Sequence, residues 1–273
     1  MARLKRTAIA SMAEVTPVPF RGGGFAPRRS AFGAAATLLG LIALWQITSS
    51  WSGINPLFLP SPVAVARSLY QLTVHGDLLM QTGVSVGRIA AGWSLGTLAG
   101  LFAGLAMGLW SLPRSGGFAI VSALFPIPKI ALLPLMILWL GIGEPSKIAV
   151  IALGVFFPTT IATASGIDSV PRALIRMAQS FGVPDADIVR KVVLPAALPS
   201  ILAGFRISAS IALLLVVSAE MIGAEKGIGA FVLQAGNLMQ TDQLLAGVVV
   251  LSLLGLAIAR VIAFCEERLT AWR

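Results

Sequence analysis

The chain has 273 residues, 57% of them hydrophobic and only 11% charged. Soluble domains carry about 25% charged residues, so the composition points to lipid as solvent. The net charge of +9 sits at the edges of apolar runs, which excludes a nucleic-acid patch, while a single Cys265 and a single His75 exclude an internal disulfide and a cysteine-based metal cluster.

Residues 1–30 carry six basic residues against Glu14 alone, with many Gly and Pro. That composition predicts a disordered, basic cytoplasmic tail. The apolar run from Ala31 to Trp51 predicts the first transmembrane helix, within 31–55. Its charged leader is too long for a signal peptide, no small-x-small cleavage site follows, and more spans come later, so it is read as a permanent anchor. Ser61-Pro62 then reads as a helix start, Ser as N-cap and Pro at the first helical position. Val65, Leu69 and Leu72 share one face, which suits a short helix on the membrane surface.

Five more apolar segments follow, near 88–110, 117–140, 147–167, 200–222 and 244–264, each close to the roughly 20 residues a bilayer requires. The expected fold is an all-α membrane protein of about six transmembrane helices. With the N-terminus inside, fourteen Lys and Arg fall on the cytoplasmic side. Four (Arg67, Arg88, Lys147 and Lys226) fall outside, and Lys129 and Arg206 lie within spans. Positive charges concentrate in cytoplasmic loops. The asymmetry therefore predicts cytoplasmic N- and C-termini, the latter at 266–273, and a cytoplasmic loop at about 166–199.

The second span carries Gly92, Gly96, Gly100, Gly104 and Gly108, every fourth residue. They form a stripe where another backbone can approach closely, either within the subunit or at a moving or dimer-forming surface. The third span has Pro126, Pro128 and Pro134 around Lys129. Proline disturbs a helix, and a lysine at membrane depth faces a bundle interior, water or an interface. Lys129 is therefore a candidate pathway residue or a snorkelling one. Glu220, the acid nearest membrane depth, is likewise a pathway candidate or an interfacial acid near Lys226.

The loop before the fifth span carries the functional signal. Leu174, Met177, Ala178 and Phe181 fall on one helical face. Gly182 is placed to end that helix in a left-handed conformation, with Pro184 following. A second short helix is expected over 185–193, with acids at its start, and Pro195 and Pro199 are expected to break the chain before the span. A helix-turn-helix with an available apolar face suits docking into a groove on a soluble partner.

This loop resembles the coupling motif of bacterial ABC importer permeases, E-A-A-x3-G-x9-I-x-L-P. Ala178, Gly182, Leu194 and Pro195 match in register and Val192 replaces Ile, while Arg176 and Met177 stand where the motif has Glu and Ala. Three segments resemble the permeases for nitrate, aliphatic sulfonates and taurine. They are Phe58-Leu-Pro-Ser-Pro62, the run from Pro126 to Lys147 containing Gly-Ile-Gly-Glu-Pro-Ser-Lys, and Ala219-Glu-Met-Ile-Gly-Ala-Glu-Lys-Gly-Ile-Gly229. The resemblance implies a type I ABC importer permease fold over 56–265, with a cytoplasmic coupling helix in the loop 171–199. It also implies an inner-membrane homodimer, two ATP-binding-cassette ATPase subunits, and an extracytoplasmic solute-binding protein. The solute it implies is small and anionic or polar. The chain has no G-x4-G-K-[ST] phosphate loop and no hydrolase motif, so no catalytic role and no cofactor are expected. An ion-coupled secondary transporter would need inverted repeats and midplane acids. A membrane enzyme would need clustered His, Asp or Cys.

Overall fold

The computed structural model describes residues 31–51 and 53–270, and every regular element among them is helical. The predicted tail, 1–30, and the last three residues lie outside the described residues. The described residues fall into two units, divided between Ile54 and Asn55. In the first, α1 (Ala31–Ser49) is a 19-residue apolar helix, about 28 Å long and close to a bilayer's hydrocarbon thickness.

The second unit is organised by three long helices: α3 (Leu78–Leu109), α6 (Glu144–Asp168) and α9 (Leu194–Gly223). The glycine stripe decides how α3 meets α6. A Cβ on Gly100 would lie 2.6 Å from the Phe156 carbonyl oxygen, and one on Gly104 would lie 2.5 Å from the Thr163 Cβ. Gly92, Gly96 and Gly108 face Ile151, Ala152 and Ile167 in the same way. The stripe is thus filled by α6 of the same chain, with backbones close enough for continuous dispersion contact. On its other side α6 packs on α9, and Val150, Ile151, Val155, Ala212, Leu215 and Val216 form the buried centre.

α2 (Pro62–Val74) begins as its sequence predicts: the Ser61 hydroxyl accepts from the Ala64 N–H at 3.2 Å. It buries Val65 and packs on α11 (Thr241–Leu269). α11 also packs on α9 and on α10 (Ile228–Asn237), a helix the apolar pattern did not reveal.

Three expectations change. The third span is not one helix. α4 (Ser111–Leu124) and the stretch Lys129–Leu140, a 3-10 turn leading into α5 (Leu133–Leu140), meet at 89°. Pro126 and Pro128 remove two backbone donors on either side of Ile127, and each ring disturbs a continuous helix. Next, α3 starts ten residues before its apolar run. Within that extension Leu78 and Ser85 pack inward, and Arg88, 4% exposed, is an interior helical residue rather than an outer-loop charge. Finally, Pro195 and Pro199 do not interrupt the chain. Helix is continuous from Asp185 to Gly223: α8 (Asp185–Ile188), a π-helical turn at Val189–Val193, then α9. The Leu194 N–H bonds to the Val189 carbonyl, five residues back. That wider turn gives the Pro195 ring room that an α-turn would deny it.

Candidate functional site

Two regions stand at opposite ends of the long helices. α6 has 25 residues, so its ends are roughly 37 Å apart. One end leads into the 169–193 loop, and the other opens at Glu144.

In the loop, α7 (Arg172–Ser180) ends in a Schellman cap. The Gly182 N–H bonds to the Gln179 carbonyl at 3.0 Å and the Val183 N–H to the Ala178 carbonyl at 3.2 Å. Gly182 has φ +68, the left-handed conformation its position predicted. Ala178 is buried with Ile188, Val193, Ala197 and Ile201, and Val183 packs on the same cluster. Leu174, Met177 and Phe181 point away from it, and Phe181 is 79% exposed. Arg176 is exposed among them, while Leu194 and Pro195 are half-buried at the start of α9. At the base of the loop, Asp168 is held by both Nη atoms of Arg114, at 2.7 and 2.8 Å.

The opposite end holds a buried ionic network. Arg88 is 4% exposed and Glu220 1%. The Arg88 Nε and Nη2 donate to the two oxygens of Glu144 at 2.7 and 2.5 Å, while Nη1 donates to Glu220 at 2.8 Å and to the Lys226 carbonyl at 2.6 Å. Ser85 donates to the Glu220 carboxylate, and the Gly229 N–H reaches Glu220 Oε2 at 2.8 Å. The Ile228 N–H bonds to Ser85 Oγ and the Gly227 N–H to Gln81 Oε1. Any side chain on Gly227 would collide with the Glu220 carboxylate. One guanidinium thus joins α3, α6, α9 and the turn before α10, and every buried charge in it is hydrogen-bonded, which is what makes such burial tolerable.

Glu220 therefore sits in the protein interior, paired with Arg88 and not with Lys226. Lys129 stands in different surroundings. Its ammonium donates to the carbonyls of Leu124, Phe125 and Ile127 at 2.8, 3.0 and 2.7 Å and lies 4.5 Å from the Phe157 ring centroid. It caps the carbonyls left open where α4 stops, a cation at a helix C-terminus. Gln81, Ser85, Arg88, Glu144 and Gly227 were missed as members of a site. Their trace in the sequence was faint: polar residues at helical spacing just before an apolar run, and a Gly-x-Gly after an acid.

A family model, binding-protein-dependent transport system inner membrane component, matches residues 96–271. The chain belongs to this family. The taurine transport system permease protein of Escherichia coli (strain K12) is 37% identical over 243 residues, covering 86% of this chain and 88% of that protein. A Bacillus subtilis (strain 168) permease protein named for aliphatic sulfonates transport is 34% identical over 233 residues, covering 85% and 84%. Among solved structures, the MetNI methionine ABC transporter matches with a TM-score of 0.61 at 24% identity, over 71% of this chain and 96% of that one, a likeness of fold. The protein is thus the permease component of an ABC importer, a multi-pass inner-membrane transport subunit without a catalytic centre.

Proposed function

We propose that the permease pairs with a second copy of itself to form the pathway for taurine or a related aliphatic sulfonate. Two ATPase subunits dock on the 169–193 loop in the cytoplasm, and a solute-binding protein delivers the solute on the outer face. The observation that carries this reading is the outward apolar face of Leu174, Met177 and Phe181 on a capped helix. No part of the described chain covers it, and a groove on a soluble partner would.

The geometry supplies a lever. Ala178 is packed into the same cluster as Ala197 and Ile201 of α9, so a displacement of α7 is transmitted to α9 through close-packed side chains. The Arg114–Asp168 pair carries it to the start of α4. ATP binding by the partner biases two arrangements of these helices, and the pathway alternates its exposure without covalent chemistry in this chain. Lys129 and Glu220 act here by holding helix ends in place rather than by touching the solute. Arg176 occupies the motif's Glu position, so the docking contact at that point is made by a cation.

Proteoliposomes holding the permease, its ATPase and its binding protein test this. ATP-dependent taurine or alkanesulfonate uptake is expected, with no ATP hydrolysis by the permease alone. Uptake driven by an ion gradient without ATPase would establish a secondary transporter instead. Cysteines introduced at Arg172 and Lys226 in a Cys265→Ser background should react with impermeant thiol reagents from the inside and the outside respectively; the opposite pattern would reverse the orientation.

A further inference from the structure

The end of the bundle away from the 169–193 loop opens into a cleft of about 630 Å³, lined by residues that include Gly83, Gly87, Arg88, Glu144, Lys147 and Lys226. Two features of its wall are unexplained by the packing of the chain. A Cβ on Gly83 or Gly87 would meet nothing within 4 Å. Glycine inside a helix costs about 0.5–1 kcal/mol relative to alanine, and here no close approach within the subunit requires it. These two positions keep the cleft floor bare.

The second feature is Lys147. The residue is only 5% exposed, yet among the described residues no carboxylate lies within 4 Å of its ammonium. Its one hydrogen bond among the described residues is to the Gly143 carbonyl at 2.9 Å. An ammonium has three donors and normally finds partners for them when desolvated. The neighbouring acids do not supply them. Glu144 is taken by the Arg88 fork, and Glu220 by Arg88, Ser85 and the Gly229 N–H. Arg88 and Lys147 balance Glu144 and Glu220 in formal charge, and exposed Glu225 and Lys226 on the rim balance each other. An incoming anion therefore meets no net repulsion, one desolvated cation with spare donors, and a floor without side chains.

We propose that Lys147 receives the anionic head group of the transported solute in this cleft. The inference rests on the sulfonate reading above and assigns that solute a contact in the permease itself. A sulfonate presents three equivalent oxygens to the spare N–H groups, and charge-assisted bonds of this kind are the strong ones.

The test uses the complete complex in proteoliposomes, with Lys147→Cys in a Cys265→Ser background. Uptake of taurine and of an alkanesulfonate should fall about tenfold or more, as loss of one charge-assisted hydrogen bond predicts. Modifying the introduced thiol with methanethiosulfonate ethylammonium, which restores a positive charge, should recover much of it, and the sulfonate-bearing reagent should not. Saturating solute, delivered by its binding protein, should slow the modification. Unaltered uptake in Lys147→Cys, or lost uptake that the cationic reagent fails to restore together with no protection by solute, overturns the assignment while the sulfonate reading stands. A Cys265→Ser complex with native Lys147 that transports neither sulfonate overturns the reading and this inference with it.

Discussion

The two ends of the helix core invert each other. At the Glu144 end, Arg88 and Glu220 are buried and every charge in their network is hydrogen-bonded. At the 169–193 end, large apolar side chains face outward, with Leu174, Met177 and Phe181 uncovered. The first arrangement is stable only while complete, because a single deletion leaves an unpaired charge in a dry setting. The second costs the subunit little if altered, because those side chains contribute little to its own core. The contrast separates residues that hold the permease together from residues whose value appears only in a complex.

Substitutions that sort into these two kinds sharpen the comparison, and those that cross over break it. The largest effect on the subunit is expected from Arg88→Met. It strands buried Glu220 without its cation, at about 3–5 kcal/mol, and should show as a large fall in the melting temperature of the detergent-purified permease. Arg88→Lys should not rescue it, since an ammonium lacks the fork that holds Glu144 by two atoms while reaching Glu220. Melting close to wild type in Arg88→Met would mean the network is dispensable.

Lys129→Met comes next. It removes the donors to three carbonyls at the α4 break, a loss of about 1–3 kcal/mol, again read by thermal stability. Wild-type stability with lost transport would return Lys129 to the solute pathway.

Gly182→Val belongs to the other end. Space around its Cβ is open, so the cost is the left-handed backbone alone, about 1–2 kcal/mol. The variant should insert and purify, but the altered bend re-aims α7 and should abolish copurification with the ATPase. Gly182→Ala should be milder. Full ATPase assembly in Gly182→Val would remove the loop from the coupling role.

Phe181→Ser should be the smallest perturbation of the permease itself, within about 0.5 kcal/mol as for surface positions generally. It should nevertheless weaken ATPase association measurably by pull-down. A clear drop in melting temperature would show that Phe181 packs within the subunit after all.

Much of this was legible before any coordinates. Runs of about 20 apolar residues are required by lipid whatever their neighbours, so five of six spans were readable from composition. The Gly182 bend was readable because φ > 0 is a local demand that glycine meets. The glycine stripe announced a close helix contact but not its partner, since the spacing is the same for α6 or a second subunit.

What the sequence by itself determined, then, was what local chemistry fixes: the membrane environment, the spans, the loop between α6 and α9 and its turn residues. Only the tertiary structure decided where charges and prolines go. The start of α3 at Leu78 was hidden because Gln81, Thr82, Gly83, Ser85 and Gly87 dilute the hydropathy of its first turns, and only the packed structure shows Leu78 and Ser85 turned inward. The Arg88 network joins residues 85, 88, 144, 220 and 229, and no short pattern links positions that far apart. The prolines carried the same warning at two places, yet the chain turns at Pro126 and Pro128 and stays helical through Pro195. At the first, Lys129 satisfies the carbonyls of a stopped helix; at the second, a π-turn makes room for the ring. Proline forbids a hydrogen bond, but the surrounding structure decides whether the helix ends or widens.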